Sequence, residues 1–202
     1  MKPDLCTLVP GYVREFEPYI PSKPDSELMR FYGCKRLFRL NNNENPLGPP
    51  PGAQEVIRAF QPPRGAVYPS GDSYYLRREI AAIHGIDADQ VLVGNGANEV
   101  ITFVVKAFCE KGDNIITADK TFAVYEWVAS FSGIEAKIIP LKDGYFDDDE
   151  MIGAINGRTK VLFICNPNNP TGTYWSREKL VKVLEEIRGR QILVIDEAYR
   201  EF

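Results

Sequence analysis

From Ser73 to the last residue the chain alternates two patterns, and that alternation restricts the fold more than any other feature. Short apolar runs, "QVLVGNG", "NIIT", "EAKIIPL", "KVLFIC" and "QILVID", are separated by segments of helical period. Those segments are "SYYLRREIAAIHG", "NEVITFVVKAFCEKG", "FAVYEWVASFSG", "DDDEMIGAIN" and "SREKLVKVLEEIRG". In the second of them Val100, Phe103, Val104, Ala107 and Phe108 fall at i, i+3, i+4, i+7 and i+8, a single apolar face. A strand that is apolar throughout is buried on both faces, and strands interleaved with helices are joined by crossovers. The pattern therefore predicts an α/β protein, a mostly parallel sheet flanked by helices in three layers.

The residues before Ser73 read differently. The first forty are rich in proline and aromatics, with one helix-like piece at 26–32, and cannot build a core of their own. They are expected to form an arm lying on another surface. A proline cluster, "NPLGPPPGAQEVIRAF", leads into a short helix, and "QPPRGAVYPSGDS" reads as a loop.

Composition excludes several classes. With 44% hydrophobic and 26% charged residues, 202 residues suffice for a real core. The net charge of -4 and the lack of any basic block argue against nucleic acid as a partner. No apolar stretch approaches the roughly 18 residues of a membrane span or resembles a signal peptide. Cys6, Cys34, Cys109 and Cys165 lack metal-ligand or framework spacing, which suits reduced thiols and a cytoplasmic location. A single histidine, His84, expected at a helix end, leaves no histidine-rich metal site, so no metal is expected. "DGYFDDDEMI" reads as a turn followed by acids at a helix N-terminus.

In parallel sheets ligands bind beyond the carboxyl ends of the strands. Those ends carry "GNGANE", "ADKTFAVY", "NPNNPTG" and "DEAYREF". Gly94, Gly96 and Ala97 at a helix start suit a phosphate, although a glycine turn with an Asn cap reads the same way. Asp196 ends an apolar strand, where a carboxylate needs a cation or a donor; a helix cap or a salt bridge is the simpler alternative. Together the two ends suit one ligand with a phosphate at one end and a basic nitrogen at the other. Pyridoxal 5′-phosphate is such a ligand: its ring nitrogen needs a carboxylate, its 3-oxygen a fixed donor, and its face a cover. Asn169 on a proline-stiffened loop and Tyr199 suit the 3-oxygen, Asp196 the nitrogen and Phe122 the ring face.

The motifs "NNNENPLGPPP", "YPSGDSYYLRREIA", "VLVGNGANEVI", "CNPNNPTG" and "VIDEAYREF", in this order, resemble the fold-type I, class I and II aminotransferases. Within them the resemblance is nearest to the histidinol-phosphate aminotransferases of histidine biosynthesis, and it runs from about residue 18 to the end. The resemblance implies that Gly96, Ala97 and Asn98 hold the cofactor phosphate, that Phe122 stacks on the ring, and that Asn169, Tyr199 and Asp196 take the roles given above. It also implies that Tyr68 reaches the phosphate of a neighbouring subunit in a homodimer with shared sites, and that Tyr19 and Asn45 face the substrate. Residues 1–40 would then be the arm, 41–62 a piece of the small domain and its linker, and 63–202 the first part of the cofactor-binding large domain.

The implied reaction transfers an amino group between histidinol phosphate and 2-oxoglutarate, with glutamate as the paired amino acid. Aromatic amino-acid transamination, a decarboxylase relative acting on threonine phosphate, and a non-catalytic phosphate-binding fragment stay open as alternatives. Two departures stand out. Lys120 replaces the proline common before the Thr-aromatic pair. The lysine that holds the cofactor covalently in this family, and an arginine after it, have no counterpart up to Phe202, and Lys120, Lys160, Lys179 and Lys182 are poorly sited to replace it. The 202 residues thus correspond to the front part of a longer enzyme, with an uncovered sheet edge that predicts poor solubility.

Overall fold

The computed structural model describes residues 5–17, 23–60 and 62–202. A 3₁₀ turn at Leu5–Leu8 leads to α1 (Gly11–Arg14), α2 (Asp25–Tyr32) and α3 (Pro51–Ala59). Proline stands at the start of α3, where its missing N–H has no helical acceptor to lose. The segment expected as a loop after α3 contains a 3₁₀ turn, Pro62–Ala66. Helix α4 (Tyr74–His84) ends at Gly85 in the left-handed conformation, with His84 in its last turn.

Beyond α4 the alternation is regular. It runs α5 (Ala97–Phe108), β1 (Asn114–Ala118), α6 (Val124–Phe131), β2 (Glu135–Ile139), α7 (Asp148–Gly153), β3 (Thr159–Cys165), α8 (Arg177–Ile187) and β4 (Ile192–Asp196). Asp147 caps α7 by accepting the Glu150 N–H at 3.1 Å, so the acidic run is indeed a turn followed by a helix start.

The four strands are all parallel, in the order β2-β1-β3-β4. Crossovers between parallel strands are right-handed. The connection through α6 steps one way along the sheet, while those through α7 and α8 step the other way, so α6 lies on one face and α7 and α8 on the other. Contacts agree: α5 and α1 pack with α6, and α7 packs with α8. The middle strands are buried on both faces. Ile115, Ile116 and the run Val161 to Ile164 are fully covered, by Val105 of α5, Tyr125 and Ala129 of α6, Met151 of α7 and Val183 of α8.

One expected strand does not form. After a 3₁₀ turn at Ala88–Gln90, Val91 is extended (φ -111°, ψ 122°), but the segment from Val91 to Val93 joins no ladder and Leu92 is 63% exposed. The apolar pattern suits a strand; a strand also needs a hydrogen-bonding neighbour, and no described strand lies beside this one.

The elements before α4 pack lightly. No residue of α1, α2 or α3 is buried. On α1's side the contact is close: Phe16 meets Phe131 edge-on at 5.4 Å, and the Tyr12 ring lies 2.9 Å from where a Cβ on Gly133 would sit. Gly133 has φ +71°, so two independent reasons hold glycine there.

Phe163 fills the centre of β3 with no exposure. Phe163→Ala is expected to lower unfolding free energy by about 3–5 kcal/mol in a urea titration; a loss under about 1 kcal/mol would mean that this strand is not the core.

Candidate ligand site at the carboxyl ends of the strands

The loop after β3 contains three asparagines, and their side chains do different things. Asn166 is buried and closes on Trp175, its Oδ1 accepting the Trp175 N–H at 2.7 Å and its Nδ2 donating to the Trp175 carbonyl at 3.2 Å. Trp175 is itself buried and donates Nε1–H to the Phe146 carbonyl at 3.0 Å. Asn168, also buried, binds across to the loop after β1. Its Oδ1 accepts from Thr121 Oγ1 at 2.7 Å, and its Nδ2 donates to the Lys120 carbonyl at 3.0 Å and to Thr171 Oγ1 at 2.7 Å. Thr173 Oγ1 adds a bond to the Gly144 carbonyl at 2.7 Å. The Asn166-Pro167 and Asn169-Pro170 peptides are both cis. Asn169 is half-buried, and its side-chain amide carries no hydrogen bond among the described residues.

That amide lines an open cavity of about 1830 Å³, together with Phe122, Asn43, Asn45 and Tyr199. Phe122 follows Thr121, so the Asn168 bonds hold the Phe122 loop and the Asn169 loop as one unit. Tyr199 Oη accepts from Asn43 Nδ2 at 2.9 Å, which leaves its own proton to donate. Asn43 takes φ +54°, a left-handed conformation that asparagine tolerates better than most residues. Asn45 turns its Oδ1 to the Leu47 N–H at 3.0 Å.

Asp196 ends β4 next to the lining residues Asn166 and Glu197, without itself forming part of the cavity's lining. Its Oδ1 accepts from the Ala198 N–H at 3.1 Å and its Oδ2 from Tyr125 Oη at 2.7 Å. Tyr125 is fully buried, stacked on Phe163 (4.9 Å, 12°) and edge-on to Phe122 (5.6 Å, 82°). Burial, with Cys165 and Asp196 beside it, holds the phenol proton far above its ordinary range. Burial likewise pushes the Cys165 thiol up, which makes it a core residue with no nucleophile's activation.

Other sequence-predicted residues stand apart from the cavity wall. Gly96, Ala97 and Asn98 are exposed at the start of α5, where the first helical N–H groups have no intrahelical acceptor. Glu99 folds back there, its Oε2 accepting the Asn95 N–H at 2.7 Å and Asn95 Nδ2 at 3.2 Å. Tyr68 is 97% exposed. Tyr19 lies outside the described residues. Among the described residues no lysine lines the cavity: Lys120 pairs with Asp119 at 3.2 Å, Lys160 with Asp113 at 3.9 Å, and Lys179 and Lys182 with Asp148. The bonds from Lys182 to Asp148 and Asp149 raise its affinity for its proton, the reverse of what a nucleophilic amine needs.

The sequence gives Tyr125 a place on a helix facing the sheet but no part in the site, and it assigns none to Asn168 or Asn43. Tyr125 has a faint signal, a polar tip three residues after Phe122 on an otherwise apolar helix face. Asn168 and Asn43 have none, because neighbouring asparagines look alike until the backbone turns them.

Residues 35–202 match the family model described as aminotransferase class I and II. The chain is 39% identical over 196 residues to a histidinol-phosphate aminotransferase of Desulfotalea psychrophila, covering 96% of this chain and 51% of that protein. It is 39% identical over 190 residues to that of Symbiobacterium thermophilum, covering 94% and 52%. Among solved structures it resembles histidinol-phosphate aminotransferase from Sinorhizobium meliloti in complex with pyridoxal-5′-phosphate (TM-score 0.81, 23% identity, 90% of this chain and 49% of that one). A second likeness is to a putative histidinol-phosphate aminotransferase from Erwinia carotovora atroseptica (TM-score 0.73, 27% identity, 80% and 47%). The chain spans about half the length of the curated relatives it matches.

The Tyr125 shift has a consequence for stability. The fold favours the neutral phenol, so this group's contribution is complete below about pH 10, its unfolded value, and is lost as pH rises above it. Alkaline denaturation of Tyr125→Phe is expected to show a shallower decline above pH 10 than the unsubstituted chain; parallel curves would disprove the coupling.

Proposed function

The chain belongs to the class I and II aminotransferase family, and from that premise we propose that it binds pyridoxal 5′-phosphate beyond the carboxyl ends of β1, β3 and β4. The observation that carries the proposal is the division of labour among the three amides. Asn166 and Asn168 are consumed in holding the loop, while Asn169 keeps an unpaired amide facing the cavity. A donor held this firmly and left unsatisfied suits a ligand oxygen.

The rest of the donor set fits the same group. Asn169 Nδ2 and Tyr199 Oη would donate to the 3-oxygen, and Asp196, which has lone pairs beyond its two present bonds, would accept from the ring nitrogen. Phe122 would cover the ring face. The first-turn N–H groups of Ala97 and Asn98, entered from Gly96, would take the phosphate, aided by the helix dipole; the Gly96 N–H itself donates to the Gly94 carbonyl at 2.8 Å. When bound, the cofactor supplies an electron sink for the substrate carbon that gives up a proton.

For the whole protein we assign transamination of histidinol phosphate with 2-oxoglutarate and glutamate as the acceptor and donor pair, a substrate choice supported by the names of the relatives. Asn45 and Tyr19 would face that substrate. Covalent attachment is assigned to a lysine outside these 202 residues, since the lysines nearest the strand ends are paired with carboxylates elsewhere. Tyr68, almost wholly exposed, would reach the cofactor phosphate of a second copy in a homodimer. Residues 41–62 would belong to the small domain and its linker, and 63–202 to the large domain. The assigned compartment is the cytoplasm; among the described residues no helix is long and apolar enough to cross a membrane.

Titration of the 202-residue chain with pyridoxal phosphate, followed by absorbance, tests the reading. Reversible binding is expected, with Asn169→Ala weakening it about tenfold, and borohydride treatment is expected to leave the 22.8 kDa mass unchanged. Equal affinity of Asn169→Ala would defeat the ring assignment, and a stoichiometric adduct on one peptide would defeat the lysine assignment.

A further inference from the structure

A half-buried carboxylate at the end of a strand is held by its donors, and those of Asp196 differ in kind. The Ala198 N–H is local, two residues along the same chain, and follows the backbone wherever the loop goes. Tyr125 comes from the first turn of α6, 71 residues away, and its ring cannot swing aside. Phe163 stacks on one side of it, Phe122 meets it edge-on, and the ring has no exposure at all. Its Oη is thus a fixed point in the core to which one carboxylate oxygen is tied.

We infer that Tyr125 is a positioning residue for the ring-nitrogen site: its phenol pins Asp196 through Oδ2, fixing the carboxylate's orientation toward the ligand and tying it to the ring-covering Phe122. The inference rests on the proposed assignment of Asp196 to the ring nitrogen. A phenol is suited to the task because it donates without adding charge. A cation in its place would form an ion pair with Asp196 and compete with the ring for the negative charge. The burial that keeps this phenol protonated makes the donation permanent across the physiological range.

The test compares the affinities of pyridoxal phosphate and of its 1-deaza analogue, in which carbon replaces the ring nitrogen. Asp196→Ala should remove the chain's preference for the nitrogen-containing ring. Tyr125→Phe, which keeps the stacked ring, should weaken pyridoxal phosphate about tenfold and leave the analogue nearly unchanged. A merely structural role would weaken both ligands alike, and that result, or no change in either, overturns the inference while Asp196→Ala still removes the preference. If Asp196→Ala leaves the preference intact, the Asp196 assignment falls and the inference with it. Should Tyr125→Phe fail to fold, Tyr125→3-fluorotyrosine keeps the shape and strengthens the donor; an unchanged affinity ratio then overturns the inference.

Discussion

Burial of β3 on both faces is the constraint on which the rest of the molecule depends. Val161 to Ile164 are inaccessible, and the strand lies between β1 and β4, so its end is fixed in space before any loop is considered. Asn166 then continues the sheet, its N–H donating to the Asp196 carbonyl at 2.9 Å. From this anchored point the Asn166–Trp175 and Asn168–Thr121 bonds turn the chain back on itself. A loop with buried amides is costly unless each is satisfied, and here nearly all are. The exception is Asn169, whose side chain faces the cavity.

The same economy governs the charged end of the site. Asp196 ends β4 beside the cavity-lining Glu197, with one oxygen tied to a neutral phenol and the other to a backbone N–H. The arrangement keeps a carboxylate at the strand end without a positive side chain beside it. Stacking of Tyr125 on Phe163 carries the rigidity of β3 sideways to β4, and its edge contact with Phe122 carries it to the loop after β1. Three strand ends are thereby referenced to one buried ring.

Ahead of α4 the physics is different. Val56, Ile57 and Leu47 remain largely exposed, and α2 and α3 bury none of their residues. Apolar surface on this scale is not left open in a finished assembly. The α1 region is held against α6 through Phe16 and Tyr12, and the segment 41–47 is drawn in through the Asn43–Tyr199 bond and the cavity wall.

The alternation of apolar runs and amphipathic segments was sufficient to determine the α/β class, the helices from α4 to α8 and four of the five expected strands, because burial on both faces of a parallel sheet leaves no freedom in residue type. The residues at the carboxyl ends were legible for the same reason: a polar cluster ending an apolar run has to be accounted for. The fate of Val91 to Val93 was not, since a ladder depends on a neighbour that local pattern does not contain. Nor were the partners of Asn166 and Asn168, neighbouring amides of similar chemistry whose bonds are set by the turn of the loop, although Asn169 could be singled out as the amide for a ligand. Tyr125 meets Asp196 across 71 residues and Asn43 meets Tyr199 across 156. Pairings of that separation follow from how the sheet orders its strands, so the sequence by itself determined which groups were available, and the tertiary structure alone decided which of them meet.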